Sequence, residues 1–149
     1  MAPASASGLV LRRESSPSET PTSEWHYVAE GGANIVFGYH GPDPIYTGQA
    51  LRIPKNYQES DLATIWRDDL LPRLLSRRDL PGRCAVNLPR GWVQELIQQS
   101  GGARPEFRMD SSQSEEWPEM VKGTLMDDLR SGSSTQDQRV LAIEIKVSR

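Results

Sequence analysis

The sequence predicts an α+β domain: mostly antiparallel sheet, with two or three helices packed against it. Three observations predict it. Short segments with period-two alternation crowd the stretch from Trp25 to Ile53. Two segments with a 3.6-residue apolar period follow, one after Ser60 and one after Asn87. A further strand-like run, Val140 to Lys146, lies near the end of the chain. With 149 residues, 36% of them hydrophobic, the chain is long enough for one core, and its mean hydropathy of −0.58 leaves part of it unburied.

Residues 1–23 are rich in Ser, Ala, Pro, Thr and Glu and have little to bury, so a disordered tail is expected there. The acids Glu14 and Glu19 argue against a transit peptide, and the apolar run Gly8 to Leu11 is too short for a secretory signal. Residues 24–149 form the predicted domain. Trp25-His26-Tyr27-Val28-Ala29 reads as a strand, Glu30-Gly31-Gly32-Ala33 as a turn and Asn34 to Tyr39 as the returning strand. Ile35, Phe37 and Tyr39 then share one face. Gly41-Pro42-Asp43-Pro44 breaks that strand, and Gln49 to Ile53 forms a third, with Leu51 and Ile53 on one side and Ala50 and Arg52 on the other.

Ser60 or Asp61 can cap a helix whose stripe is Leu62, Ile65, Trp66, Asp69 and Leu70. Pro72 ends or kinks it, and Arg73 to Arg78 can add a further turn or two. Asn87-Leu88-Pro89 opens a second helix with Trp92, Val93, Leu96 and Ile97 inward, and Gly101-Gly102 stops it. Ala103 to Trp117 reads as polar loop apart from Phe107, and Val121 to Met126 as a strand. In the run from Val140 to Lys146, Leu141, Ile143 and Ile145 line one face, while Glu144 and Lys146 share the other.

A formal net charge of −3 and a pI near 5.4 exclude a protein that coats nucleic acid or an anionic membrane with a general basic surface. No stretch approaches the roughly 20 apolar residues of a membrane span. Cys84 is alone, so no intrachain disulfide can form, and the nucleus or cytoplasm is the expected compartment. His26, His40 and Cys84 lack metal-ligand spacing, and no metal site or Ser–His–Asp arrangement is predicted.

Four features could carry chemistry. The hairpin Gly31-Gly32-Ala33-Asn34 lets backbone N–H groups approach phosphate oxygens, although any tight hairpin also favours Gly-Gly. It has neither the Gly-Lys-Ser/Thr ending of a P-loop nor a following helix. Arg52 stands on a strand two elements later, opposite the apolar face; it is either a solvated edge arginine or the cation that holds nucleotide phosphates, which a guanidinium can grip in bidentate fashion. Glu144 and Lys146 are either a surface pair worth about 0–1 kcal/mol or the lining of a cleft. Arg108 follows Phe107 in a polar loop, where arginines are usually just solvated.

Taken in order, Glu30-Gly31-Gly32-Ala33-Asn34-Ile35-Val36, Ala50-Leu51-Arg52-Ile53-Pro54-Lys55 and Ile143-Glu144-Ile145-Lys146 resemble successive motifs of the kinase-like N-terminal lobe of inositol-pentakisphosphate 2-kinases. Trp66-Arg67-Asp68, Leu70 to Leu75 and Arg104-Pro105-Glu106-Phe107-Arg108 resemble the segments between them. The resemblance runs from about Glu24 to Lys146. It implies transfer of the γ-phosphate of ATP to the 2-hydroxyl of inositol pentakisphosphate, giving inositol hexakisphosphate.

By position, it assigns Gly31, Gly32, Ala33 and Asn34 to cover the ATP phosphates and Arg52 to hold them. Asp127, Asp128 and Leu129 would meet adenine, mainly through backbone groups; Glu144 and Lys146 would contact the nucleotide; Arg108 would reach an inositol phosphate. It implies a monomer as the complete enzyme. The catalytic aspartates and the Mg²⁺ ligands would belong to a C-terminal lobe, so no catalytic residue is assigned in this chain.

The family pattern Glu-x-Lys-Pro-Lys is broken after Lys146 by Val147 and Ser148. Those two residues can be encoded as GTRAGT, the consensus of a 5′ splice donor, which fits translation into an unspliced intron. On this expectation the 149-residue chain is an inactive N-terminal lobe. The competing readings are a non-catalytic module that binds a nucleotide or partner, and the product of a mis-spliced or degraded gene.

Overall fold

The computed structural model describes residues 15–55, 69–76, 82–109 and 117–130. The strands are β1 (Trp25–Glu30), β2 (Asn34–Tyr39), β3 (Gln49–Pro54), β4 (Arg83–Pro89) and β5 (Met120–Asp127). The helices are α1 (Leu71–Leu74), α2 (Arg90–Gln99) and α3 (Glu106–Met109). All five strands form one antiparallel sheet in the order β1-β2-β3-β5-β4. The α+β architecture read from the sequence is therefore the one observed.

Alternation builds the core. Ile35, Phe37 and Tyr39 of β2 and Leu51 and Ile53 of β3 are all buried, on the face that meets Val93 and Leu96 of α2. Trp25, Tyr39 and Tyr46 join through tilted and edge contacts, with ring centroids 5.0–5.8 Å apart. Trp117 is buried as well and donates its indole N–H to the Lys55 carbonyl at 3.1 Å.

Several expectations are corrected. Residues 15–23 are not a free tail: they form two 3-10 turns, Pro17–Glu19 and Thr22–Glu24, with Pro17 and Thr22 buried. Their polar atoms serve the core. Thr20 accepts the Trp25 indole N–H at its hydroxyl (2.8 Å) and that of Trp92 at its carbonyl (3.1 Å). Ser15 accepts from the Tyr46 hydroxyl at 3.0 Å. Buried indole and phenol donors need acceptors, and this segment supplies them.

Asn87-Leu88-Pro89 does not open α2 but ends β4, a strand the pattern missed; α2 begins one residue later, at Arg90. Most of β4 is exposed, with only Leu88 buried, so it lacks the alternation that marks a half-buried strand. Pro72 sits in the first turn of α1, directly after Asp69 and Leu70, which are already helical, and the helix ends two residues beyond it at Leu74, as a chain-breaking proline there predicts. The loop expected over Ala103 to Trp117 contains α3. The helix expected after Ser60 lies mostly outside the described residues, and the strand expected at 140–146 lies wholly outside them. Among the described residues, no helix is long and apolar enough to cross a membrane.

Deleting residues 1–23 removes these acceptors. Each lost hydrogen bond of this kind is worth about 1 kcal/mol, so the truncated chain is expected to lose at least about 2 kcal/mol. An unchanged urea midpoint would show that the segment contributes nothing.

Candidate functional site

The second face of the sheet carries the predicted nucleotide residues. Strand register aligns Ala29, Val36, Arg52, Thr124 and Ala85 in one row across all five strands. Arg52 thus stands between small or β-branched neighbours, with Val36 and Thr124 directly beside it, and all three are half-buried. The adjacent row runs through Gly38, Ala50 and Met126. Arg52 is thus a long cation set among short side chains in its own row. Ala50 is more enclosed than its position opposite Leu51 suggested, being buried itself.

The glycine hairpin closes one end of this face. Gly31 donates its N–H to the Asn34 carbonyl at 2.9 Å, and Lys55 donates its own to the Ala33 carbonyl at 2.7 Å. Neither Gly31 nor Gly32 has a positive φ, and a Cβ built on either meets nothing within 4 Å among the described residues. With Gly31 bonded to Asn34, the central turn residues are Gly32 and Ala33, and neither has the positive φ that usually calls for glycine in a two-residue hairpin. A close approach by something outside the chain is a reason that remains.

At the base of the hairpin, three segments meet at one carboxylate. Arg104 donates through Nε to Glu30 Oε1 at 2.9 Å and through Nη2 to Oε2 at 3.0 Å. Lys55 Nζ forms an ion pair with the same Oε2. The Glu30 side chain is 1% exposed, and those of Lys55 and Arg104 are 8% and 9% exposed. Arg104, above all, and then Lys55 hold the Glu30 carboxyl down at about 2, from an ordinary 4.5, against the opposing effect of burial.

Alternation from Trp25 would place Glu30 on the second face. A bulge between Tyr27 and Ala29 adds one residue to β1, so Glu30 pairs with Ile35 and turns toward the core side. Sequence reasoning missed this cluster for that reason. The only signal was that Glu30, Lys55 and Arg104 each stand at the edge of a motif.

The segment assigned to adenine is engaged with its own chain. Asp127 donates its backbone N–H to the Gly82 carbonyl at 3.1 Å, and its carboxylate accepts from Gly82 N–H at 2.7 Å and Gln49 Nε2 at 3.0 Å. Asp128 donates its N–H to the Gly48 carbonyl at 2.8 Å, while Arg130 grips its carboxylate at 2.7 and 3.0 Å. That pair lies over Gly38, where an added Cβ would stand 3.0 Å from Arg130 Nη2. Leu129 is exposed.

Arg108 falls within α3, four residues beyond Arg104. Glu144 and Lys146 lie outside the described residues, so they cannot be placed beside Arg52. Among the described residues, no three His, Cys, Asp or Glu side chains stand together as a metal site.

The ion cluster has a measurable pH signature. Because the folded pKa of Glu30 is depressed, its stabilisation is present above the unfolded value of 4.5 and is lost as the pH falls toward about 2. A shift of this size corresponds to about 3 kcal/mol. Glu30→Gln is expected to lower stability at neutral pH by about that amount and to flatten the loss between pH 4.5 and 2. Identical acid-unfolding curves for the two proteins would contradict this account.

A family model described as inositol-pentakisphosphate 2-kinase matches residues 27–146. Inositol-pentakisphosphate 2-kinases of two Cryptococcus neoformans var. neoformans serotype D strains, JEC21 and B-3501A, are each 33% identical over 139 residues, covering 87% of this chain and 33% of the relative. The Arabidopsis thaliana inositol-pentakisphosphate 2-kinase is 46% identical over 37 residues, covering 25% of this chain and 8% of its own. The chain spans about a third of the length of the fungal relatives. With most of its length matched in one continuous span, the chain belongs to the inositol-pentakisphosphate 2-kinase family.

Proposed function

We propose that this chain is the ATP-holding lobe of an enzyme that phosphorylates inositol pentakisphosphate at the 2-hydroxyl to give inositol hexakisphosphate. The observation that carries the reading is the pairing of an open Gly31-Gly32 hairpin with a sheet face centred on Arg52. Phosphoryl transfer asks little covalent chemistry of the protein and depends on positioning and charge.

In this reading the hairpin lies over the phosphates. The Gly31 N–H is engaged with Asn34, so the amides of Gly32 and Ala33 are the ones offered to phosphate oxygens. Asn34 holds the end of β2 against Pro54. Arg52 binds phosphate through its guanidinium, with Val36 and Thr124 as the floor on either side. Lys55 is excluded from that task by its burial against Glu30.

Adenine contacts are assigned to backbone groups of Asp127, Asp128 and Leu129; the N–H groups of the two aspartates are already bonded to Gly82 and Gly48, which leaves their carbonyls and Leu129 for the base. By their positions in the family motifs, Arg108 would contact an inositol phosphate, and Glu144 and Lys146 would contact the nucleotide. Mg²⁺ bound with ATP would supply charge neutralisation at the phosphates, and its ligands are proposed to lie outside the described residues, which bring no three His, Cys, Asp or Glu side chains together.

Catalytic groups are proposed to lie outside these 149 residues, so the chain alone binds nucleotide without turning it over. Calorimetry with MgATP is expected to show binding that Arg52→Ala weakens by about tenfold or more, the scale of a lost charge-assisted contact. Incubation with MgATP and inositol pentakisphosphate is expected to yield no hexakisphosphate. Equal affinity in the Arg52→Ala variant would remove Arg52 from the phosphate site, and turnover by the purified chain would overturn the proposal that it is inert.

A further inference from the structure

We propose that Glu30 is a positioning residue, through which the glycine hairpin and the arginine-bearing segment Arg104–Met109 are held in one fixed relation. The proposal rests on the nucleotide-lobe reading above and extends it to the joint between two ligand-facing segments.

Three chain segments converge on this side chain, and each leads to a group assigned to phosphate. Glu30 itself immediately precedes Gly31. Lys55 follows Arg52 by three residues, at the end of β3. Arg104 precedes Arg108 by four, at the entry to α3. All three side chains are nine-tenths buried or more, and the Arg104 contact is bidentate, so it fixes angle as well as distance.

Backbone bonds reinforce the joint on the hairpin side, where Lys55 N–H reaches the Ala33 carbonyl at 2.7 Å. Trp117 pins the same residue by donating to the Lys55 carbonyl. On the Arg104 side, the Arg104 backbone N–H reaches the Ser100 carbonyl at 3.1 Å, just past the end of α2. The arrangement also sorts the cations: Lys55 and Arg104 are consumed by Glu30, so they organise the site without touching a phosphate.

If Glu30 only filled the end of the core, loosening it would weaken the fold everywhere. If it positions the two segments, cutting the remote Arg104 tie should disturb the hairpin locally and reduce phosphate recognition without affecting the base. The test uses the full chain and two variants, Glu30→Gln and Arg104→Gln. Arg104→Gln leaves the Glu30–Lys55 pair intact and serves if Glu30→Gln fails to fold.

Amide hydrogen exchange is read at 31–34, at 104–109 and in the core strand β3, and affinities are measured for MgATP and for adenosine. The expected result for Arg104→Gln is faster exchange at both 31–34 and 104–109 with β3 unchanged, and about tenfold weaker MgATP binding with adenosine unaffected. Faster exchange at 104–109 alone, or MgATP and adenosine weakened equally, overturns the positioning role while leaving the nucleotide reading intact. Failure of the unmodified chain to bind MgATP overturns both.

Discussion

One carboxylate decides how the ligand-facing end of this domain is built. Glu30 is buried with two cations, Lys55 and Arg104, at the point where the hairpin, the end of β3 and the entry to α3 come together. Burying charges is costly in itself, and a buried ion pair is not automatically a gain over apolar packing. The balance here is struck by geometry: a bidentate guanidinium contact satisfies both carboxylate oxygens, and the ammonium shares one of them. Taking away one partner would leave the others buried and unpaired, the costly outcome for a charge cluster of this kind.

The rest of the site follows from the two faces of one sheet. The core face carries the large side chains, Phe37, Leu51, Ile53 and Leu88, closed over by α2 and Trp117. The other face carries Gly38, Ala50, Val36 and Thr124 around Arg52. This division places the bulk on the core face and mostly small or β-branched residues around Arg52 on the other. At the edge of the sheet, a Cβ on either hairpin glycine would meet no neighbour among the described residues. The segment after β5 is tied differently, by Asp127 to Gly82 and Asp128 to Gly48, so its position is set by the chain before any base arrives.

Much of this was legible in the residues. Alternation at Ile35, Phe37, Tyr39, Leu51 and Ile53 gave the core face directly, because β-branched and aromatic residues at period two have few other uses. The Gly31-Gly32 turn and the strand position of Arg52 followed from the same pattern. β4 escaped because an exposed edge strand carries no burial signal: Arg83-Cys84-Ala85 alternates in nothing. Residues 15–23 escaped because their role is to accept hydrogen bonds from buried indoles and a phenol, a task that Ser and Thr perform without any hydrophobic signature. The Glu30 cluster escaped because it depends on a three-dimensional register shift and on partners 25 and 74 residues away.

That shift sets the grammar of β1. Between Trp25 and Glu30 the strand holds one residue more than its partner, and this surplus alone turns Glu30 inward. Residue identities at Val28 and Ala29 are therefore open to exchange among small or β-branched types, whereas the residue count is not. Loss of a single codon in this stretch would leave composition, charge and hydrophobicity almost untouched while swinging the carboxylate to the opposite side of the sheet. Natural variation in this strand should accordingly appear as substitutions and not as changes in length.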